Sequence, residues 1–186
     1  MLAWIAARCL DTSRQRPSAI VAMISANLIA QSAADVRHIE INPESDRLLG
    51  NRKTFTFVAA LRHNRMVAPL LINGAMNGET FRAYIEQFVV PILNRNDIVA
   101  IDNLPAHNVA GIEKTINAVG ATLRYLPKYS PDLNPIELPY SKFKAYLRKL
   151  AARTVPSLHR AIRSFLHILK PRECAHYYKH AGYAAI

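Results

Sequence analysis

The stretch from Leu126 to Lys149 reads LPKYSPDLNPIELPYSKFKAYLRK, with prolines in its first half and helically spaced apolar residues in its second half. Asn134 followed by Pro135 is typical of a helix N-cap and the first helical residue. The pattern therefore predicts a proline-rigid loop that enters a helix over Asn134 to Leu150. Glu137 would lie in the first turn, where the positive end of the helix dipole favours an ionised carboxylate.

A second carboxylate lies upstream, at Asp102. The run DIVAID from Asp97 to Asp102 predicts a short buried strand with a polar exit. In an open α/β sheet, reactive groups gather beyond the carboxyl ends of the central strands. Only 34 residues separate Asp102 from Glu137, and they hold one predicted helix and one predicted strand, so the chain can return to the same edge. Two adjacent carboxylates repel each other, and a hard divalent cation such as Mg²⁺ relieves that repulsion.

The rest of the chain predicts one α/β domain with a mixed sheet, an antiparallel hairpin and helices on both faces. Apolar β-rich runs on either side of His63-Asn64-Arg65 predict the hairpin. The predicted strands are Ile20–Leu28, Thr54–Leu61, Met66–Asn73, Asp97–Asp102 and Ala121–Leu126, and the predicted helices are Glu79–Leu93, Asn108–Val119, Asn134–Leu150 and Thr154–Leu169.

Positive charge is concentrated in one part of the chain. The net charge is +11, and residues 121 to 170 carry ten basic side chains against two acidic ones. A one-sided basic surface is the pattern expected of a protein that binds a phosphate backbone. The alternative is a solvated helix face that only aids solubility. The candidate DNA-binding residues are Lys128, Lys142, Lys144, Arg148 and Lys149.

Several classes of protein are disfavoured by composition. No apolar run approaches the roughly 18 residues of a membrane span. The N-terminus places apolar residues before basic ones, the reverse of a secretory signal. Cys9 and Cys174 are too few for a disulfide framework, and we expect both to be reduced, packed thiols. A cytoplasmic protein without a membrane partner is expected.

Individual residues admit simpler explanations. A lone Asp after a strand, such as Asp102, is often a turn or capping residue. His107 could orient a water or contact a phosphate, although a histidine in a surface loop is more often only solvated. Tyr129 and Tyr140 could stack on bases, and packing is the favoured interpretation of both.

The motifs DIVAIDNLPAHN, YSPDLNPIE and PRECAHYYKHAGYA resemble the catalytic domain of DDE transposases, in the bacterial insertion-sequence branch of the mariner superfamily. The resemblance runs from about Arg52 to the C-terminus, so we expect a divergent segment over 1–50 and a catalytic domain over 51–186. It implies a ribonuclease-H-like fold and metal-dependent DNA cleavage and strand transfer, with two Mg²⁺ or Mn²⁺ ions. The implied partners are DNA, as transposon ends and target, and a full-length transposase as a candidate homo-oligomer partner.

The resemblance also assigns roles to single residues. Asp102 resembles the second catalytic Asp and Glu137 the final Glu, both as metal ligands, with Asn103, His107 and Asn134 in supporting positions. The first catalytic Asp of the family would fall within Ala19 to Leu28, which contains no acid.

We therefore expect impaired catalysis, in a chain that is N-terminally truncated or frame-shifted and has no room for the family's helix-turn-helix module. A DNA-binding or transposase-pairing remnant without chemistry is the alternative. Another ribonuclease-H-like nuclease, such as a junction resolvase, is a weaker one.

Overall fold

The computed structural model describes residues 20–31, 52–151 and 154–183. Cys9 and the segments 1–19, 32–51, 152–153 and 184–186 lie outside the described residues. Within the described residues, one five-stranded sheet has the order β3-β2-β1-β4-β5. The strands are β1 Ile20–Gln31, β2 Arg52–Arg62, β3 Arg65–Asn73, β4 Ile98–Ile101 and β5 Thr122–Tyr125. The helices are α1 Gly78–Tyr84, α2 Ile112–Ala118, α3 Glu137–Leu150, α4 Val155–Ile168 and α5 Pro171–His180.

The sheet is mixed. β2 pairs antiparallel with both β1 and β3, whereas β4 pairs parallel with β1 and β5. Arg62 pairs with Arg65 across the turn, which confirms the predicted hairpin. Because β1, β4 and β5 run in the same direction, their carboxyl ends meet at one edge of the sheet.

Helices cover both faces of the sheet. Along β2, Phe57, Ala59 and Leu61 join a core that contains residues of α3, α4 and α5. Val58 and Ala60 point the other way, into a second core with α1 and α2. This alternation follows from the two-residue period of a strand. The predicted α/β fold with a mixed sheet and helices on both faces is confirmed.

The first two helices differ slightly from their predicted ranges. α1 continues through a π-helical turn, Ile85–Val89, and a 3-10 turn, Val90–Ile92, so the helical path ends one residue before the predicted end at Leu93. α2 begins at Ile112 and not at Asn108. A separate 3-10 turn precedes it, and Gly111 at its N-cap has a φ of 93°, a left-handed conformation that glycine adopts easily.

The predicted N-cap of the third helix is wrong. α3 begins at Glu137 with Ile136 as N-cap, and no side chain caps it. Asn134 instead ends a 3-10 turn over Pro131–Leu133, and its backbone carbonyl accepts a hydrogen bond from the Glu137 N–H at 3.1 Å. The N-cap therefore lies two residues later than predicted, yet Glu137 still lies in the first helical turn, as predicted.

Buried tyrosines attach the helices to the rest of the fold. Tyr140 of α3 and Tyr178 of α5 donate their hydroxyl protons to the backbone carbonyls of Phe57 and Leu61, both in β2. Cys174 is a buried free thiol, as expected, and burial raises its pKa to about 11. No helix in the described part of the chain is long and apolar enough to cross a membrane.

Candidate metal centre and nucleic-acid surface

Asp102 lies directly after β4, at the edge where the parallel strands end. Ala100, two residues earlier, is buried in the core that contains α3. Because side chains two residues apart on a strand share a face, Asp102 extends from the α3 side of the sheet. Its side chain is 23% exposed. The strand thus presents a partly solvated carboxylate at its exit, on the face of the sheet that α3 covers.

His107 contacts Asp102 directly. The Nδ1 of His107 lies within hydrogen-bonding distance of Asp102 Oδ1. The His107 ring is stacked on Phe81 of α1, with centroids 4.2 Å apart and planes at 26°. His107 is only 1% exposed, so the expectation of a solvated surface histidine is wrong. Phe81 lies within the predicted helix Glu79–Leu93, and no sequence pattern indicates its contact with His107.

Glu137 is half-buried at the start of α3, next to the buried Ile136. Burial raises the pKa of the Glu137 carboxyl above its usual range. The positive charge of Lys144 opposes this shift, and the negative charge of Asp102 adds to it. The charge of Asp102 therefore acts on Glu137, whose carboxyl is partly desolvated.

The supporting asparagines occupy different environments. Asn103 follows Asp102 and is half-buried. Asn134 is 3% exposed and supports Glu137 through its backbone carbonyl. Asn134 thus contacts the first residue of α3 through its backbone.

The candidate DNA-binding residues separate into two groups. Lys142 forms an ion pair with Glu173 of α5, and the Tyr177 hydroxyl donates to the same carboxylate at 2.5 Å. Burial alone would raise the pKa of Glu173, but the hydrogen bonds from Lys142 and Tyr177 bring that pKa below its usual range. Exposed cationic side chains form the second group: Lys128, Lys144, Arg148 and Lys149.

The two tyrosines near the site have opposite environments. Tyr140 is 1% exposed and its ring lies 5.7 Å from that of Phe57, so the packing interpretation is confirmed for it. Tyr129 is 99% exposed, and the packing interpretation is wrong for it. Its φ of 58° is left-handed, an uncommon conformation for a residue with a side chain.

The register of β1 identifies the position beside Asp102. The parallel ladder ends at the pair Met23 and Ile101, and extending the same register by one residue brings position 24 level with Asp102. Ile24 also pairs with Ala59 of β2. Ala59 lies in the core on the face of the sheet that α3 covers. The residue at this position is not an acid. Among residues 20–31, 52–151 and 154–183, no group of three or more His, Cys, Asp or Glu side chains could hold a metal ion.

In this sheet, the long strand β1 lies between the β2-β3 hairpin and the parallel strands β4 and β5. Carboxylates lie at the exit of β4 and at the start of α3. This arrangement defines a ribonuclease-H-like protein. The sequence profile of the DDE superfamily endonuclease family matches residues 32–159, more than half of the chain. The chain belongs to this family. The matched range begins before Arg52, where the motif resemblance starts.

Solved structures share the fold at low sequence identity. The Mos1 strand transfer complex has a TM-score of 0.68 at 13% identity, and the match covers 97% of this chain and 57% of that one. The Mos1 paired-end complex with the left transposon end gives 0.65 at 12%, covering 97% and 56%. The Mos1 mariner transposase catalytic domain gives 0.62 at 13%, covering 97% and 86%. The chain thus spans somewhat more than half of the longer Mos1 chains. Comparison with curated protein sequences finds no significant match.

Proposed function

We propose that this chain acts on DNA in transposition, with Asp102 and Glu137 as ligands of a divalent cation and the exposed cations of α3 as contacts to the DNA backbone. Two observations outside the site support DNA as the partner. The family is one of endonucleases, and the Mos1 proteins of similar fold are described in complexes with transposon ends and after strand transfer.

A single observation carries this proposal: Asp102, after β4, and Glu137, in the first turn of α3, are near enough for the charge of Asp102 to raise the pKa of Glu137. Burial raises the pKa of Glu137, the charge of Lys144 opposes this rise, and the charge of Asp102 adds to it, which supports a site where ionised Asp102 and Glu137 repel each other. A bound cation relieves that repulsion. Such an arrangement is typical of functional sites and has no evident structural purpose here.

The donor set fits a hard cation. Both side chains offer carboxylate oxygens, which Mg²⁺ and Mn²⁺ prefer. A divalent ion held here would act as a Lewis acid on a phosphodiester. The two-ion site of the family requires more ligands than these two carboxylates supply, so we assign one ion to this pair.

A basic surface adjoins the pair. Lys144, Arg148 and Lys149 are exposed along α3, which begins at Glu137. A duplex that lies along this helix would bring a phosphate toward the carboxylates while the lysines neutralise its neighbours. Lys128, in the loop before α3, extends the same positive surface.

We further propose that cleavage by this chain is impaired, because Ile24 occupies the β1 position beside Asp102. That residue supplies no charged oxygen ligand to the centre of the site. The same observation favours a second candidate function, a domain that binds DNA or pairs with full-length transposase without chemistry.

A nicking experiment separates the two candidates. Purified protein is incubated with supercoiled plasmid in Mg²⁺, in Mn²⁺ or in EDTA, and the Asp102→Ala variant serves as the matched control. Weak metal-dependent nicking that Asp102→Ala abolishes supports the enzymatic candidate.

Binding to labelled duplex is measured in the same samples over a range of salt concentrations. Absence of nicking together with binding that weakens steeply with salt supports the non-catalytic candidate. Absence of both activities contradicts the assignment of DNA as the partner.

A further inference from the structure

We propose that His107 is a positioning residue for Asp102. Its Nδ1–H holds Asp102 Oδ1, so the carboxylate is fixed in one orientation and Oδ2 is left to bind a cation. This inference rests on the proposed metal site and adds a residue to it. His107 itself is not a ligand in this assignment.

The backbone of His107 is held in place before its ring makes any contact. His107 ends a short 3-10 turn, and its N–H donates to the Leu104 carbonyl at 2.9 Å. Its own carbonyl accepts a hydrogen bond from the Tyr125 hydroxyl at 3.4 Å. Tyr125 ends β5, the strand beside β4. The turn is therefore attached to the sheet edge that carries Asp102.

The ring is fixed as firmly as the backbone. One face of the imidazole is stacked on Phe81, and the whole residue is 1% exposed. Phe81 itself is 1% exposed and belongs to α1, a separate element from β4 and its loop. A buried imidazole between an aromatic ring and a carboxylate cannot turn freely, so the direction of its Nδ1–H is set by the fold.

This geometry has a chemical consequence for the carboxylate. A carboxylate at a strand exit rotates about its last torsion angle, and a metal ion must then restrict that rotation when it binds. A donor that occupies one oxygen removes the rotation beforehand. Contacts of this kind to metal-ligating groups typically change metal affinity by about 10- to 100-fold. In the folded chain, one oxygen of Asp102 is thus held by a donor and the other is available to an ion. This difference between the two oxygens exists before any ion binds.

A purely structural histidine would behave differently. If His107 only stabilised the loop after β4, its replacement would lower the melting temperature and leave cation affinity unchanged in the folded protein. Affinity and stability therefore have to be measured separately. Two replacements make this possible. His107→Asn keeps an N–H donor close to the Nδ1 position, and His107→Leu keeps apolar bulk against Phe81 and removes the donor.

Mn²⁺ binding to the full chain is measured by electron paramagnetic resonance, and unfolding is followed by circular dichroism. We expect His107→Leu to weaken Mn²⁺ binding about 10- to 100-fold, and His107→Asn to retain most of the affinity. Tyr84→Phe is the matched stability control, because it removes a 2.8 Å hydrogen bond from α1 to the Ala68 carbonyl on the same face as Phe81. It should lower the melting temperature without changing Mn²⁺ affinity.

Proton NMR of protein labelled with ¹⁵N-histidine tests the contact without a metal. We expect a downfield Nδ1–H resonance that disappears in both His107→Asn and Asp102→Ala. A resonance that survives Asp102→Ala overturns the contact.

The binding outcomes distinguish this inference from the proposed function. Wild-type protein that binds Mn²⁺ no more tightly than His107→Leu overturns the positioning role alone. Wild-type protein that binds no Mn²⁺ overturns the metal site, and the positioning role with it.

Discussion

The hydroxyl of Tyr183 donates a 2.7 Å hydrogen bond to the backbone carbonyl of Leu133, 50 residues earlier in the chain. Leu133 ends the 3-10 turn that precedes α3, and both residues are buried. The Tyr183 ring also meets that of Tyr178 edge-on, with centroids 5.9 Å apart. The C-terminal part of the chain therefore holds the loop that delivers Glu137 to the sheet edge.

Tyr183→Phe should loosen this loop selectively. The substitution keeps the ring contact with Tyr178 and leaves the buried Leu133 carbonyl without this donor, which costs about 1–3 kcal/mol. A destabilisation of that size lowers the melting temperature by several degrees in a domain of this length. Hydrogen exchange should accelerate over residues 130–137 more than in α5. Tyr177→Phe is the control, since its hydroxyl contacts Glu173 and not the loop. Equal exchange rates in both variants would contradict the link.

Ile24→Asp should strengthen cation binding. The β1 register places position 24 beside Asp102, on the same face as Ala59. A third carboxylate there adds a charged oxygen ligand, and affinity for hard cations rises with the number of such ligands. We expect Mn²⁺ to bind at least about tenfold more tightly. Ile24→Asn is the matched control, because it supplies an oxygen of similar reach without the charge. A folded Ile24→Asp variant with unchanged affinity would place the missing ligand elsewhere.

Lys142 and Lys149 should differ in their contribution to DNA binding. Lys142 is engaged by Glu173, whereas Lys149 is exposed near the end of α3. If Lys149 neutralises one phosphate, Lys149→Gln should reduce the slope of log affinity against log salt by about 0.9. Lys142→Gln should change that slope less. It should instead lower the free energy of unfolding by up to about 1 kcal/mol, because a solvated ion pair typically stabilises a protein by that amount. Fluorescence anisotropy at several salt concentrations measures both slopes. The reverse order of effects would show that the ion pair opens for DNA.

Glu137→Gln should stabilise the metal-free protein at neutral pH. Burial, assisted by the charge of Asp102, raises the pKa of Glu137 above its ordinary value of 4.5. The folded state therefore holds the proton more tightly than the unfolded state does. The stability gained from Glu137 is complete below pH 4.5 and is lost as the pH rises through the raised pKa.

The neutral glutamine avoids this loss. The variant's free energy of unfolding should exceed that of wild type at pH 7, and this difference should disappear below about pH 4.5. The difference should stay under about 1 kcal/mol, because solvent screens a half-buried group. Thermal melts in EDTA across pH measure it. Added Mn²⁺ should raise the melting temperature of wild type and not of the variant. A gain that does not vary with pH would assign the effect to packing.

The parts of this fold that can be predicted are those that depend on local sequence patterns. Apolar, β-rich runs on either side of His63-Asn64-Arg65 predicted the hairpin, and the run before Asp102 predicted β4, because apolar runs and turn residues are local signals. The burial of His107 could not be predicted, since it depends on Phe81 from a different element. The start of α3 was misplaced because Asn134-Pro135 suits both an N-cap and the end of a 3-10 turn. The choice between them depends on tertiary packing, in which Leu133 and Ile136 are both buried.

Tyr129 combines two unfavourable features. It is 99% exposed, and its left-handed φ of 58° costs about 1 kcal/mol or more for a residue with a side chain. Its loop is nevertheless ordered from both sides, by the Tyr183 contact at Leu133 and by Ser130 Oγ, which donates to the Lys128 carbonyl at 3.3 Å. An exposed aromatic ring on an anchored loop, next to a lysine and before Glu137, is well placed to stack on a nucleobase.

Tyr129→Ala should therefore weaken binding to single-stranded DNA without destabilising the fold. Stacking of one base on an aromatic side chain contributes about 1–3 kcal/mol, so affinity should fall by about 5- to 150-fold. An oligonucleotide that carries 2-aminopurine should lose fluorescence on binding wild type and keep it with Tyr129→Ala. Tyr129→Phe retains the ring and should behave as wild type. Tyr129→Leu retains apolar area without an aromatic ring. If this variant quenches 2-aminopurine fluorescence and binds single-stranded DNA as wild type does, the Tyr129 ring does not stack on a base.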